Sequence, residues 1–505
     1  MSSEIELKLH IAERDIWRLL RLPLLHSVTL KKLPSRRLIN TYYDTVDYRL
    51  RDLGIAIRLR QIGNKWLQTI KTEGRVVAGL HERPEWERET LPNTLDFSGL
   101  EDEKLKSLLE KTLDGVALRP AFVTDFTRLS RVLQLSEGTQ CEFAIDRGKI
   151  FSGGNEATIS ELELEIIHGD PVALFDFVRA LLEHINVTLA HESKAAHGFA
   201  LALGTLPQPV KAKQALLDKR MSARQGFIAI AAACIQQLTA NEAGCIIGKD
   251  TEFLHQLRIA IRRLRTAIRL FSDHLDDSIA TPIVEELRWL GGQLGTTRDL
   301  DVFVEETLPP IMAAYPNMMG LAQIRECISA LRDEANVSSR AALQSPRYQR
   351  LLLDIGAWLV STSPLSSDIP GTDTAMMLSE FARSALKRHR KQLIRRADQL
   401  LELSAEERHR VRISGKRLRY AAEFFAPLFA AKRSKSYIQE LANLQTILGV
   451  LNDTTTTKTI LSQVTDEKAA EALTVVHAWV TGASHGYVAH LPQAHDRFLQ
   501  QQTFW

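Results

Sequence analysis

The sequence predicts an α+β protein with an N-terminal closed antiparallel β-barrel, helices outside the barrel, and a C-terminal all-α domain of two repeated helical bundles. Three observations support this fold class. Residues 4 to about 167 contain successive strand patterns in which charged and apolar residues alternate. From about residue 216 these patterns disappear and the chain reads as helical. Within the helical part, one cationic segment occurs twice.

The first strand pattern covers residues 4–8. In an extended strand Glu4, Glu6 and Lys8 share one face, and the apolar residues between them point to the other face. The two carboxylates lie about 7 Å apart along such a strand and repel each other unless a cation lies between them. A solvated edge strand is the alternative, and it explains this segment better when the segment is taken alone. A site for metal and phosphate therefore needs support from other strands.

Later strands repeat this alternation, some with cations and others with carboxylates. Their opposite faces are apolar and need to be covered. A sheet closed into a barrel, with a charged interior and helices packed outside, satisfies both faces. The cations on these strands are Arg58, Arg60, Lys71, Arg83 and Arg128, and the acids are Glu85, Glu87, Glu161, Glu163 and Glu165.

The composition is ordinary for a soluble globular protein. The chain has 505 residues, of which 45% are hydrophobic and 25% are charged, which allows two or three domains. It has neither a signal-like N-terminus nor an apolar run long enough to span a bilayer, so we expect a cytoplasmic protein without a membrane partner. The four cysteines are far apart and lack C-x-x-C spacing, which argues against a zinc site or a disulfide framework.

A segment with two prolines and little periodicity divides the chain at residues 204–217. We therefore predict a barrel domain over residues 1–203, a linker over 204–217, and a helical domain over 218–505. The net charge of +3 says little about partners, so the local distribution of charge matters more.

The helical domain contains an internal repeat, in which residues 255–265 match residues 409–419. A Leu-Gly and Asp pattern at residues 294–299 recurs at 448–453 with the same offset. The repeated cations fall within an arc of about 80° on a helical wheel, and no acid lies among them to pair with them. A solvated helix face is the alternative, but the repetition favours an anion-binding groove. The predicted anion-binding residues are His255, Arg258, Arg262 and Arg265 in the first copy and His409, Arg412, Lys416 and Arg419 in the second.

The ordered motifs resemble two known families. The first set consists of Glu4-x-Glu6-x-Lys8, Tyr43-Asp44-Thr45, Arg58-x-Arg60, Thr69-x-Lys71, Arg83-x-Glu85-x-Glu87, Glu161-Leu-Glu163-Leu-Glu165 and Ser193-Lys194. It resembles the CYTH superfamily, the triphosphate tunnel metalloenzymes, over about residues 1–203. The helical repeat resembles a CHAD domain, the conserved histidine α-helical domain, over about residues 218–504. The combination is similar to the bacterial inorganic triphosphatases.

The resemblance implies an eight-stranded tunnel that cleaves tripolyphosphate to pyrophosphate and phosphate with Mg²⁺ or Mn²⁺. It also implies roles for individual residues. Glu4 and Glu6 would face Glu163 and Glu165 as a metal-binding wall, with Glu161 as a further member. Glu85 and Glu87 would hold a second metal or orient the attacking water. The phosphate oxygens would be bound by Lys8, Arg58, Arg60, Lys71, Arg83, Arg128 and Lys194. One departure is Pro84, which predicts a bulge or an edge position in the strand that carries Arg83 and Glu85.

Two other functions stay open. The same fold could act on a nucleoside or thiamine triphosphate, or cyclise ATP as an adenylate cyclase, but the sequence shows no pocket for an organic group. A function of a different class is a module that binds or targets to inorganic polyphosphate, with the helical grooves as the binding surface. Nucleic acid is disfavoured as a partner because the basic helices lack interleaved exposed aromatic residues.

Overall fold

The computed structural model describes residues 2–361, 376–400 and 402–505. Within these residues the chain forms two compact units. The first unit contains residues 2–208 together with the helix Pro346–Ser361, and the second contains residues 209–343 and 376–505. The helix Pro346–Ser361 therefore lies in the same unit as the strands, although its sequence falls between the two halves of the predicted helical domain.

The first unit consists of strands joined by short helices and turns. Its strands are β1 Ser2–Ile11, β2 Thr29–Lys32, β3 Arg36–Asp44, β4 Ala56–Ile62, β5 Lys65–Lys71, β6 Arg75–Val77, β7 Leu80–Thr90, β8 Arg119–Ser136, β9 Thr139–Ser152, β10 Asn155–His168 and β11 Val187–Leu189. The helices among them are α1 Ile16–Leu20, α2 Pro23–Val28, α3 Arg49–Asp52, α4 Glu103–Leu113, α5 Val172–Leu182 and α6 Lys194–Leu203.

Eight of the strands described in residues 2–208 close into an antiparallel barrel, which confirms the predicted fold class. Neighbouring strands follow the order β1, β10, β9, β8, β3, β4, β5 and β7, and β7 pairs with β1 to close the ring. This closing register places Glu4 opposite Arg83, and the pairing of β1 with β10 places Glu6 opposite Glu165. Because side chains alternate along each strand, the charged residues point inward and the apolar residues pack outside.

The predicted bulge at Pro84 is not found. The pairing of β7 with β1 runs through Pro84, which lies opposite Ser3, without a shift of register. The Pro84 carbonyl accepts a hydrogen bond from the Thr72 amide at 3.3 Å, so this edge of the residue faces residues 72–74, between β5 and β6. The N–H that proline lacks would point to the same side, toward residues 72–74. These residues belong to neither β5 nor β6, so no strand pairing is lost there. Arg83 and Glu85 therefore keep their alternation, and both face the interior.

The second unit is helical throughout its described residues, as predicted. Up to residue 343 its helices are α7 Ala223–Ala240, α8 Glu242–Ile247, α9 Thr251–Leu270, α10 Asp277–Gln293, α11 Gly295–Val302, α12 Leu308–Ala314 and α13 Met319–Leu343. Helix α14 is the helix Pro346–Ser361 of the first unit. The second unit continues with α15 Leu378–Arg396, α16 Ala405–Phe425, α17 Ala431–Leu461 and α18 Ala470–Gln500.

The repeated cationic segments lie on α9 and α16. These helices contact each other, and Arg263 of α9 donates a hydrogen bond of 2.7 Å to Glu423 of α16. The last residue of the second copy's motif, Asp453, lies outside the residues whose side chains the structure describes.

The four cysteines are distributed between buried and half-buried positions. Cys141 and Cys234 are buried, Cys245 and Cys327 are half-buried, and all four are unbridged. Burial raises the pKa of the Cys141 thiol to about 12. In the described ranges, no helix combines the length and the apolar character that crossing a membrane requires.

Helix α6 packs on β8 through Gly198, and this contact generates a stability prediction. A Cβ at this position would overlap the Phe122 ring, which is itself stacked on Tyr42 at a centroid distance of 4.4 Å. We expect Gly198→Ala to lower the free energy of unfolding by roughly 1–3 kcal/mol, because the ring has little room to move. Urea denaturation measures this change. The exposed Ala196 on the same helix provides the control, and Ala196→Ser should stay within about 0.5 kcal/mol. Equal stability of the two variants would contradict the close packing.

Candidate active site

A charged cavity of about 360 Å³ lies inside the barrel. Within the described part of the chain, seven cations and six carboxylates line it. The structure thus brings together all the residues named for metal and phosphate binding in this part of the chain, apart from Glu161. The cations are Lys8, Arg58, Arg60, Lys71, Arg83, Arg128 and Lys194, and the carboxylates are Glu4, Glu6, Glu85, Glu87, Glu163 and Glu165.

One wall of the cavity is acidic and is formed by β1 and β10. Burial, together with the charges of Glu4 and Glu6, raises the pKa of Glu165 to about 7. Burial and the neighbouring Glu6 also raise the pKa of Glu4, although Lys71 acts in the opposite direction. Burial is the largest cause of both raised pKa values, and the neighbouring carboxylates add to it. A further cation at this wall would therefore be stabilised.

Two lysines contact the acidic wall. Lys8 Nζ lies 2.8 Å from Glu6 Oε1 and 3.2 Å from Glu163 Oε1. Lys71 Nζ contacts Glu4 and lies 3.5 Å from Glu85 Oε2. Among the described residues, no group of three or more His, Cys, Asp or Glu side chains is close enough together to hold a metal ion. Carboxylate oxygens are nevertheless the donors that Mg²⁺ and Mn²⁺ prefer, so the donor chemistry of the wall fits a divalent cation.

A buried network anchors the cations at the β8 side of the cavity. Arg128 donates two hydrogen bonds to Asp146, at 2.7 and 2.6 Å, and a third to Glu163. Lys194 Nζ lies 2.8 Å from both Asp146 and Glu163 and 2.7 Å from Glu161. Glu161 is therefore bound to a cavity lysine but does not itself line the cavity. Asp146 is fully buried and contacts both Arg128 and Lys194, so it holds these two cations in place.

The ionisation of Glu163 is set by this network. Burial acts to raise its pKa, but Lys194, Lys8 and Arg128 together hold the pKa of the Glu163 carboxyl well below its usual range. The two ends of the acidic wall therefore differ. Glu163 stays ionised and paired with cations, whereas Glu165 titrates near neutral pH.

The two arginines of β4 lie among polar and cationic neighbours. Arg58 Nη1 is 3.5 Å from the Tyr42 hydroxyl, and Arg58 Nη2 is 3.6 Å from Glu85 Oε1. Arg60 Nε donates a hydrogen bond of 2.8 Å to the neutral side chain of Asn40. Burial and the nearby cations Arg58 and Arg128 lower the pKa of Arg60 to about 10. An anion next to Arg60 would relieve this crowding, which is the behaviour expected of a phosphate-binding residue.

Arg83 is held by a buried histidine. Arg83 Nη2 contacts Nδ1 of His81, and Nε2 of His81 lies 3.1 Å from the carbonyl oxygen of Ala190. Because a guanidinium only donates, Nδ1 accepts and the proton lies on Nε2, which donates to Ala190. Burial and the adjacent Lys8 and Arg83 lower the pKa of His81 to about 2, so the ring stays neutral.

Several residues of this site were missed in the sequence. Asp146 is one of them, although a carboxylate directly after the apolar residues 143–145 of β9 is a signal for a buried ion pair. Tyr42 precedes a recognised motif, but its position opposite Arg58 follows only from the pairing of β3 with β4. For His81 the sequence offers no comparable signal, because its partner Ala190 is 109 residues away.

A second cavity, of about 560 Å³, lies in the helical unit. Both copies of the repeat contribute to it through α9 and α16. Four of the eight predicted anion-binding residues line it, namely Arg262, Arg265, Arg412 and Lys416. The other charged or titratable residues in its lining are Arg269, Arg288, His389, Arg417 and Asp277.

The other four predicted residues do not line this second cavity. Arg258 instead donates a hydrogen bond of 3.0 Å to the Gly291 carbonyl, and Arg419 lies 3.4 Å from Glu423. His255 and His409 lie one to two turns before the residues that line the cavity. The cavity therefore includes only half of the residues that the sequence predicted for anion binding.

Comparison with known families now identifies both units. The CYTH domain model matches residues 2–199, and the CHAD domain model matches residues 229–462. The chain carries a CYTH domain followed by a CHAD domain. The resemblance seen in the motifs is thus confirmed, and the barrel and the helical unit are called the CYTH domain and the CHAD domain below.

The relatives of this CYTH–CHAD protein include an inorganic triphosphatase from Haemophilus influenzae. It is 36% identical over 207 residues, which cover 40% of this chain and 55% of that protein. An uncharacterised protein from Mycobacterium tuberculosis is 26% identical over 215 residues, or 42% of this chain and 40% of that protein. The chain therefore spans about half the length of these relatives. The crystal structure of the CHAD domain from the plant Ricinus communis is 32% identical, with a TM-score of 0.52, and covers 59% of this chain and 99% of that one.

The raised pKa of Glu165 generates a pH prediction for the metal-free protein. The folded-state pKa of about 7 lies above that of an unfolded glutamate, so the fold favours the neutral carboxyl. The contribution of Glu165 to stability is therefore present below about pH 4.3 and is lost as the pH rises to about 7. We expect Glu165→Gln to gain stability relative to the unmutated protein at pH 8, by on the order of 1 kcal/mol, but not at pH 4.

Two measurements check this prediction. Carboxyl ¹³C NMR should give a midpoint near pH 7 for Glu165, and urea denaturation at both pH values should give the stability difference. Glu156→Gln, at an exposed position of the same strand, is the control and should show no such dependence on pH. A Glu165 midpoint near that of a free glutamate would show that the wall is not electrostatically crowded.

Proposed function

We propose that this protein hydrolyses inorganic triphosphate to pyrophosphate and phosphate in the cavity of its CYTH domain, with Mg²⁺ or Mn²⁺ at the acidic wall. One observation carries the proposal, which is that seven cations and six carboxylates of the described chain face one cavity of about 360 Å³. A polyanion with its metal ion needs both signs of charge in one place. The name of the Haemophilus influenzae relative supports the same activity.

The lining of the cavity favours a substrate made only of phosphate groups. Its aromatic members within the described chain are Tyr42 and Phe126, which are 4% and 2% exposed. Neither ring therefore offers a free face on which a nucleobase or a thiazolium ring would stack. Most of the remaining lining is charged. Inorganic triphosphate satisfies this lining better than an organic triphosphate does.

The residues of the cavity supply positioning and charge, which are what phosphoanhydride hydrolysis requires. Arg60 and Arg83 have neutral hydrogen-bond partners, so both guanidinium groups can turn remaining donors toward phosphate oxygens. Lys8 and Lys71 now contact carboxylates of the acidic wall, and they would contact phosphate oxygens instead when the substrate binds. A divalent cation held by Glu4, Glu6 and Glu165 would neutralise charge on the phosphate oxygens and polarise the bond that breaks.

Glu87 is the residue that we assign to orient the attacking water. Glu85 already lies within 3.6 Å of both Arg58 and Lys71, so its carboxylate is occupied by two cations. Glu87 accepts a hydrogen bond of 2.9 Å from the Thr69 hydroxyl, a neutral partner that fixes the carboxylate while leaving it able to accept from water.

The first test of the proposed function is Glu6→Gln. We expect this change to reduce phosphate release from tripolyphosphate by at least about a hundredfold, because it removes a charged donor from the metal-binding wall. Release is measured at saturating Mg²⁺, and circular dichroism verifies the fold. Glu89→Gln on β7 makes the same chemical change outside the cavity lining and should keep normal activity. A folded Glu6→Gln variant with near-normal turnover would contradict the assignment.

A substrate comparison separates this proposal from the alternatives on the same fold. Phosphate release from tripolyphosphate, ATP and thiamine triphosphate is compared at equal concentrations, and cyclic AMP is measured with ATP. Preference for tripolyphosphate supports the proposal. Formation of cyclic AMP, or faster hydrolysis of an organic triphosphate, would replace it.

For the CHAD domain we propose binding of inorganic polyphosphate in the second cavity. Arg262 and Arg265 from one copy of the repeat converge there with Arg412 and Lys416 from the other. Burial and the cations Arg288 and Arg269 lower the pKa of Arg265, which shows that positive charge is crowded at this place. A chain of phosphates would balance that charge without requiring a defined length. This function also fits the alternative in which the domain targets the protein to polyphosphate.

Two double variants of the full-length protein test this binding. Arg265→Gln/Lys416→Gln removes two cations from the cavity, and Arg258→Gln/Arg419→Gln removes two that lie outside its lining. We expect the first pair to weaken binding of long-chain polyphosphate by roughly tenfold at low salt and to flatten its salt dependence. The second pair should have a much smaller effect. Equal losses in both pairs, with the fold verified by thermal unfolding, would contradict the cavity as the binding site.

A further inference from the structure

Helix α14 packs against the other elements of the first unit. It lies against α5 and β11, and most of its length is buried. The approach is close at Gly356, where a Cβ would overlap the ring of Phe175 and lie 2.9 Å from the Cβ of Ala78. The backbone of α14 therefore touches the turn at Ala78 directly.

A first connection runs from α14 through β11. Gln349 Oε1 accepts a hydrogen bond of 2.9 Å from the Leu189 amide, and the Gln349 side chain is only 2% exposed. The next residue, Ala190, donates its amide to the Lys8 carbonyl at 2.9 Å. The Ala190 carbonyl accepts from Nε2 of His81, whose other ring nitrogen contacts Arg83. Two consecutive residues thus link α14 to both cavity cations.

A second connection runs from α14 through the turn between β6 and β7. Ala78 and Gly79 have φ values of +46° and +79°, as the two central residues of a tight hairpin turn require. Gly356 lies against Ala78. The Gly79 carbonyl accepts a hydrogen bond of 3.1 Å from the Lys8 amide. Both backbone groups of Lys8 are therefore bound by segments that contact α14.

Lys8 lies where β1 changes its neighbour. Along this edge β1 pairs with β7 up to Leu7 and with β11 from Leu9 onward. At the junction, the amide and the carbonyl of Lys8 are satisfied by two different segments rather than by one continuous strand. Such a junction holds its geometry only if the two segments keep a fixed separation. Helix α14 contacts both of them.

We propose that α14 is a positioning element of the cavity, which fixes Lys8 and Arg83 through Gln349 and His81. This proposal rests on the function proposed above, because it concerns two of the cations that would bind the phosphates. Errors of about 1 Å in such groups reduce rates strongly. A helix that merely covered the barrel would need only apolar residues on this face. A buried glutamine amide is costly, and here its Oε1 satisfies the Leu189 amide while its Nε2 has no hydrogen-bond partner among the described residues.

The first test replaces Gln349 by a residue of similar volume without an acceptor, in the full-length protein. We expect Gln349→Met to raise KM for tripolyphosphate about tenfold through Lys8 and Arg83, with little change in thermal stability. Gln349→Glu keeps an acceptor and should restore KM toward the original value. Arg350→Met is the matched control on the next residue, because Arg350 pairs only with the exposed Glu183 in the described structure.

A second readout does not depend on activity. Native-state hydrogen exchange should show faster exchange of the Lys8 and Ala190 amides in Gln349→Met than in Arg350→Met. If the unmutated protein fails to hydrolyse tripolyphosphate, the proposed function is wrong, but the exchange experiment still decides whether α14 holds the junction. Unchanged KM and unchanged exchange in a folded Gln349→Met protein would overturn the proposal.

A double-mutant cycle tests the connection to Arg83. His81→Phe keeps a ring but removes both hydrogen bonds, so it should also raise KM about tenfold. If Gln349 and His81 act through the same segment, the double variant should be little worse than either single variant. Additive effects would show that the two residues act independently. Should Gln349→Met fail to fold, His81→Phe alone decides, since an unchanged KM would rule out its role in positioning.

Discussion

The pairing of β7 with β1 is the interaction on which the rest of the CYTH domain depends. It turns a sheet with two edges into a closed barrel. Without it, Glu4 and Glu6 would lie on an edge strand and face water, where two carboxylates cost little. Closure instead places them in one interior with Glu165 and with cations from four other strands and a helix. The unusual electrostatics of the cavity follow from this confinement.

That confinement shifts acids and bases in opposite directions within one space. Glu165 is shifted toward its neutral form at one wall, and Arg60 is shifted toward its neutral form elsewhere in the same cavity. Mutual neutralisation would have shifted both toward their charged forms. Both shifts persist although lysines and arginines contact other carboxylates of the cavity, so an added cation near Glu165 and an added anion near Arg60 would each be stabilised. This is the arrangement that a metal ion bound to a polyanion requires.

The sequence predicted the barrel and most of its charged lining, because alternation along a strand decides which side chains share a face. It did not predict which strands are neighbours, so the opposition of Glu6 and Glu165 had to come from the structure. In the CHAD domain, the helical wheel placed the cations of each copy on one face, but only four of the eight predicted residues line the cavity, and Arg258 instead donates to a carbonyl of α10. The sequence also did not predict that α14 belongs to the first unit. Its residue pattern is helical like that of the neighbouring residues in the chain, and only the packing in the structure shows its place.

The first unit is discontinuous in the chain, because α14 follows the first half of the CHAD domain. During synthesis, all the strands of the barrel leave the ribosome well before the helix that covers the Lys8 junction. The surface formed by α5 and β11 therefore stays uncovered until residue 361 has left the ribosome. A nascent chain cut short before α14 would therefore carry every residue that lines the barrel cavity, but it would lack the helix that contacts the two segments bound to Lys8.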